Sequence, residues 1–223
     1  MTTSLQHGRY YHIYNRGNNS EVLFKSYDNY ILFLKQYSKY ISPIADTYAY
    51  CLMSNHFHLV IRIKDEKDIL TFKQLQLFEY NKSQLITDKK PRPSSQFAHL
   101  FNSYSKTINK SYHRTGSLFE HPFERRLIED EDYLKNCIYY VHNNPVKHGY
   151  VENLRDYPWS SYKSILSDKP TELKRDFILQ LFGGKENFKQ WHSDFQLAGL
   201  STDARLSGIE GLSSVVDLEM SSE

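Results

Sequence analysis

Two periods of apolar spacing alternate along this chain, and the switches between them mark its elements. Residues 9–16 are aromatic and branched, then stop at Gly17-Asn18-Asn19-Ser20, the composition of a strand entering a turn. From Tyr27 to Ile41 the positions Tyr30, Ile31, Leu34, Tyr37, Ser38 and Ile41 recur at helical spacing, with Ser26 placed to cap the start and Pro43 just beyond the end. Residues 46–53 and 56–63 read as two strands joined by Ser54-Asn55. A charged stretch then leads to a short helix expected over 69–78 and a mobile polar loop over 87–95. The helical period returns over 96–112 at Phe97, Leu100, Phe101, Tyr104 and Ile108, followed by an extended segment over 117–128 and a helix over 130–143.

Strand, helix, two strands, helix, strand is the order of a ferredoxin-like or RRM-like α+β fold, an antiparallel sheet with packed helices. The sequence predicts this domain over 1–168 and a helical C-terminal extension over 169–200, in which 177–182 and 188–195 form short amphipathic helices. A disordered acidic tail is predicted over 201–223. The fold by itself assigns no function, because this arrangement hosts RNA readers, metal binders and enzymes alike.

Composition narrows the choice. No stretch approaches the roughly 18 apolar residues of a membrane span and the N-terminus has no signal-peptide core, so no membrane association and a cytoplasmic location are expected. Cys51 and Cys137 lack CxxC spacing, which argues against a cysteine zinc site, so a bound metal would need nitrogen and oxygen ligands. The net charge is only +2, but five acids and one arginine from Ser201 on leave the preceding 200 residues at +6, compatible with a phosphate-binding body. Eighteen tyrosines and thirteen phenylalanines are many for this length, and although most must be core, aromatic faces can stack on unpaired bases.

The candidate chemistry starts at His56-Phe57-His58. In a strand His56, His58, Val60 and Arg62 share one face and Phe57, Leu59, Ile61 and Ile63 the other, so the apolar face is core and the two imidazoles converge on the opposite side. Such a pair suits a divalent cation that takes a further ligand from elsewhere. In the helix expected over 130–143, Leu134, Ile138 and Val141 define the packing face. Tyr140 and Asn144 lie together at its border and Tyr139 lies on the other side. Pro145 disfavours helical geometry at Asn144, making Asn144 the expected last residue. A tyrosine beside a two-histidine cation suits phosphoryl transfer, since a phenolate is both nucleophile and leaving group.

Tyr11-His12-Ile13-Tyr14-Asn15-Arg16-Gly17, the run from Tyr48 through His56-Phe57-His58 to Val60, the run from Tyr140 through Asn144-Pro145-Val146-Lys147-His148-Gly149, and Tyr157-Pro158-Trp159-Ser160-Ser161-Tyr162 occur in an order that resembles the single-tyrosine HUH transposases, especially the REP-associated tyrosine transposases of bacteria. The resemblance implies that His56 and His58 hold Mg²⁺ or Mn²⁺ with Asn144 completing the shell. It further implies that Tyr140 attacks single-stranded DNA, leaving a 5′-phosphotyrosine and a free 3′-OH. The expected partner is single-stranded or hairpin DNA, and a monomer is favoured over a homodimer. The stretch 64–95 is longer than that family's core requires, and the match beyond Lys169 is loose.

Arg16, Lys106, Lys110, Arg114, Arg125 and Arg126 are the candidates for phosphate contacts. The rival readings are a non-catalytic RRM-like nucleic-acid-binding module, which predicts exposed aromatics on the two central strands, and a domesticated transposase acting as a DNA-binding regulator. A replication initiator or relaxase shares the chemistry but usually brings a larger chain.

Overall fold

The computed structural model of the protein describes residues 4–76 and 87–197. Its elements are β1 (Tyr10–Arg16), α1 (Tyr27–Ile41), β2 (Ala45–Leu52), β3 (His56–Ile63), α2 (Phe72–Gln76), α3 (Pro93–Ser111), β4 (Glu124–Ile128), α4 (Glu131–Lys147), α5 (Tyr162–Leu166), α6 (Arg175–Leu181) and α7 (Lys185–Leu197). The four strands form one sheet in the order β2-β3-β1-β4, every neighbouring pair antiparallel, which is the ferredoxin-like topology that the element order predicts. Among the described residues no helix is long and apolar enough to cross a membrane. The chain divides into two compact units between Ile178 and Leu179. Residues 169–178 therefore belong with the first unit, where Leu173 bridges to Thr47 of β2.

Strand alternation sorts the sheet into two unlike faces. Tyr11 and Ile13 of β1 with Phe57, Leu59, Ile61 and Ile63 of β3 point to one side, where they join Phe33, Tyr37 and Ile41 of α1 and Phe97, Leu100, Tyr104 and Ile108 of α3 in the hydrophobic core. On the other side His12 and Tyr14 of β1 and His56 and His58 of β3 lie beneath α4, which packs on β2 and β3.

Local details correct several expectations. Ser26 occupies the N-cap position of α1 without a side-chain capping bond, and the Asn29 Oδ1 in the first turn reaches back to accept from the Lys25 amide at 3.0 Å. Helix α3 starts at Pro93 rather than 96, because proline at the first helical position loses an amide that would have no partner there. Residues 93–95 are therefore helix, not loop. Strand β4 is confined to Glu124–Ile128, and the preceding residues from Ser117 are irregular apart from a bridge between Phe119 and Gly17.

Helix α4 runs to Lys147, straight through Pro145, so Asn144 lies inside it. Asp130 caps its start by accepting from the Tyr133 amide at 2.7 Å. At its end Gly149 takes φ 68°, the Gly149 amide donates to Val146 O at 3.0 Å and the Tyr150 amide to Pro145 O at 2.8 Å, a Schellman closure. Proline is tolerated in the last turn because these bonds, not its own missing amide, hold that turn. The apolar stripe also understates how deeply α4 is buried. Tyr139 and His142 are covered as well, and His142 Nε2 shares a 2.8 Å hydrogen bond with Ser161 Oγ, which accepts from the Tyr50 amide of β2. The expected helix over 69–78 is seen as Phe72–Gln76, where the described residues stop, and the expected disordered tail over 201–223 lies outside the described residues.

Candidate active site

The antiparallel register of β1 and β3 pairs Tyr14 with His58 and Arg16 with His56, so the face below α4 carries three imidazoles, His12, His56 and His58, with Arg16 at its edge. The β1–β4 register pairs His12 with Arg126 and Ile13 with Arg125. Arg126 therefore shares the histidine face, whereas Arg125 lies on the opposite side with its guanidinium over the Phe123 ring at 4.7 Å.

Tyr140 stands edge-on to two of these rings, 5.5 Å from His58 and 5.8 Å from His12 between ring centroids, and only 3% of it is exposed. Asn144 follows one turn later and donates from Nδ2 to Tyr140 O at 3.1 Å. The structure thus sets Tyr140 against His58, with His56 beside His58 and Asn144 one turn along from Tyr140 on the same helix. Tyr139 is equally buried and its hydroxyl is pushed up to about 12 by burial.

Each motif histidine is held at Nδ1. His56 Nδ1 donates to the side-chain oxygen of Asn55 at 2.7 Å, and His58 Nδ1 lies 2.9 Å from His12 Nε2. Burial, reinforced by His148 and Arg16, lowers His56 from 6.5 to about 3, and burial also drives His58 well below its ordinary value, with His12 and His56 adding to the effect. His12 is lowered to about 3 by burial and by Arg126. All three imidazoles are therefore neutral at physiological pH and keep the lone pair that a metal ligand must offer.

Three observations test whether these residues fit a divalent cation. The donors are imidazole nitrogens and an amide oxygen, a set suited to Mg²⁺ or Mn²⁺ when phosphate oxygens and water complete the shell. Asn144 Oδ1 is buried with no hydrogen-bond partner among the described residues, the condition of an oxygen reserved for a ligand. Among those residues no three His, Cys, Asp or Glu side chains form a metal-holding group, so any cation here would have to draw on the Asn144 amide or on substrate as well as on imidazoles. The set fits a cation that shares its coordination with substrate.

The remaining basic candidates are scattered. Arg16 forms an ion pair with Glu120 at 2.6 Å, and Arg114 is tied to Glu21 and Asn109 beneath the far side of the fold. Lys106 and Lys110 are exposed on α3, the helix that covers the core face. Sequence reasoning assigned no role to His12, Asn55 or His148, the last with its ring 4.9 Å from His56. The signal for His12 was its alternation with Tyr10, Tyr14 and Arg16, which acquires meaning only once β1 is paired with β3.

No protein-family model matches the chain. It is 28% identical over 144 residues to a Haemophilus influenzae protein provisionally named a REP-associated tyrosine transposase, an alignment covering 65% of this chain and 70% of the relative. A solved structure of a REP-associated tyrosine transposase bound to a REP hairpin has the same fold, with TM-score 0.55 and 15% identity, across 76% of this chain and 87% of that one. Motif order, sequence relative and fold agree in one resemblance, to the REP-associated tyrosine transposases.

Proposed function

We propose that the protein cleaves and rejoins single-stranded DNA next to a hairpin, with Tyr140 as nucleophile. The observation that carries this reading is the tyrosine ring set edge-on against His58 on a face where every imidazole is neutral. Tyr140 Oη forms a bond to the scissile phosphorus, and the bond from phosphorus to the 3′ oxygen breaks. The proton lost by the phenol balances the one gained by the leaving 3′-OH, and the product is a 5′-phosphotyrosine. Rejoining is the reverse displacement by a 3′-OH. His56, His58 and the Asn144 oxygen are the residues that would hold Mg²⁺ or Mn²⁺, which supplies Lewis-acid polarisation of a phosphate oxygen. Arg126, and Arg16 once a phosphate competes with its Glu120 partner, would neutralise phosphates flanking the scissile one, since both lie on the histidine face.

Because Tyr140 rests on the histidines of its own chain, one chain contains the whole set, which supports a monomer acting in cis. The RRM-like alternative needs open aromatics on the central strands. Here Tyr11, Tyr14 and Phe57 are buried, and α4 covers the face that such a module would offer to bases. The test is a labelled stem-loop with a single-stranded flank, incubated with the protein and Mn²⁺ beside a fully paired duplex of the same sequence. Cleavage confined to the stem-loop flank is expected, and equal cleavage of both would reject the reading.

A further inference from the structure

We infer that His12 is a positioning residue that fixes the ring and tautomer of His58, taking for His58 the part that Asn55 takes for His56. The inference rests on the reading of His56 and His58 as cation ligands.

A neutral imidazole has one N–H and one lone pair, so whichever nitrogen donates decides what the other can do. For His56 the choice is made by Asn55. An amide oxygen only accepts, so His56 Nδ1 carries the hydrogen and Nε2 keeps its lone pair. His58 has no such amide. Its Nδ1 meets His12 Nε2 at 2.9 Å, with the two rings 5.1 Å apart and 19° from parallel. If His12 donated, His58 would carry its hydrogen on Nε2 and present an N–H where a ligand is needed. If His58 donates, its Nε2 lone pair is free on the ring edge away from His12, as in His56. A cation on His58 therefore requires His12 to be the acceptor.

The surroundings hold His12 still. It is 0% exposed, Tyr14 lies 5.0 Å away on its own strand, and Tyr140 stands at 80° to its ring. His12 Nδ1 is buried without a hydrogen-bond partner among the described residues, so no backbone group or carboxylate explains why a histidine occupies this position. Among the described residues its hydrogen bond is the one to His58. A histidine serving the fold alone would be expected to satisfy both nitrogens. Partners that orient a metal-bound histidine through its second nitrogen contribute substantially to affinity.

The experiment compares wild type with His12→Phe, which fills similar volume without an acceptor, and His12→Gln, whose amide oxygen has similar reach. Mn²⁺ affinity is measured by calorimetry, and the His58 tautomer by long-range nitrogen–proton NMR on metal-free wild type. Expected are an Nδ1–H tautomer for His58, Mn²⁺ affinity reduced about 10- to 100-fold in His12→Phe, and substantial recovery in His12→Gln. Wild-type affinity in His12→Phe, or an Nε2–H tautomer in wild type, overturns the inference. If wild type bound no Mn²⁺ while His58 was Nδ1–H, the cation reading would fail and the His12 contact would stand. If His12→Phe does not fold, the wild-type tautomer and His12→Gln decide: near wild-type affinity in His12→Gln with His58 Nδ1–H supports the role.

Discussion

The two faces of the central sheet are built from the same strands, yet they are opposite in character. The face under α1 and α3 is closed by Phe57, Leu59, Ile61, Phe33 and Phe101, side chains with no polar atoms to satisfy. The face under α4 is buried almost as deeply but contains His12, His58 and Asn144, two of them with a polar atom that has no partner among the described residues. Burying polar atoms unsatisfied costs stability, so a sequence selected only for folding would have made both faces apolar. The difference teaches that the core face stabilises the protein, while the α4 face gives up some stability to hold neutral imidazoles and an amide beside a tyrosine.

The sharpest way to break that comparison is to truncate one side at a time. Phe57→Ala should destabilise the fold by about 3–5 kcal/mol in denaturant titration. His58→Ala, its neighbour on the other face, should abolish Mn²⁺ binding and cleavage with a much smaller loss of stability. Equal unfolding penalties would mean that the histidine face is structural after all. Acid offers a second cut. His12, His56 and His58 bind protons more weakly when folded than the ordinary 6.5, so the stability they allow is complete above that value. It falls as pH drops from about 6.5 towards 3, because the unfolded chain takes up protons first. Unfolding midpoints measured across this window should fall less steeply in His12→Phe, whereas Phe57→Leu should shift the whole curve without changing its slope.

A smaller effect is expected at Asn144. Asn144→Ala removes one hydrogen bond and one orphaned oxygen together, so its stability cost should be about 1 kcal/mol or less, while Mn²⁺ affinity drops clearly. A large stability loss with unchanged affinity would remove Asn144 from the site. The smallest effect separates two adjacent arginines. Arg126→Ala should lower the salt dependence of stem-loop binding by about one phosphate contact, and Arg125→Ala, on the core side, should leave it unchanged. Fluorescence anisotropy over a salt series reads the two slopes.

How much of this was legible in the sequence depended on the distance over which each feature is determined. Helix α1 from Tyr27 to Ile41, strand β3 from His56 to Ile63 and the split between the two faces of β3 follow from local periodicity, and all three are present as expected. The neighbourhood of Tyr140 and Asn144 follows from helical spacing. The ends of elements were harder, since Pro93 opens α3 and Pro145 sits within α4 because of caps and closures formed by their neighbours. His12 was hidden for a different reason: its meaning comes from pairing with a strand more than forty residues away, and one isolated histidine in an aromatic run carries no sign of its partner. The same holds for Arg125 and Arg126, adjacent in sequence and separated by a sheet.

The central claim is that Tyr140 is the residue that becomes joined to DNA. It is tested most directly by incubating wild type, Tyr140→Phe and Tyr139→Phe with an end-labelled stem-loop in Mn²⁺, then resolving denaturation-resistant adducts on a gel and mapping the attached peptide. The account predicts an adduct on Tyr140 in wild type and in Tyr139→Phe, and none in Tyr140→Phe although that variant still folds and binds the stem-loop. An adduct that persists in Tyr140→Phe and maps to Tyr139, Tyr133 or a serine would contradict it.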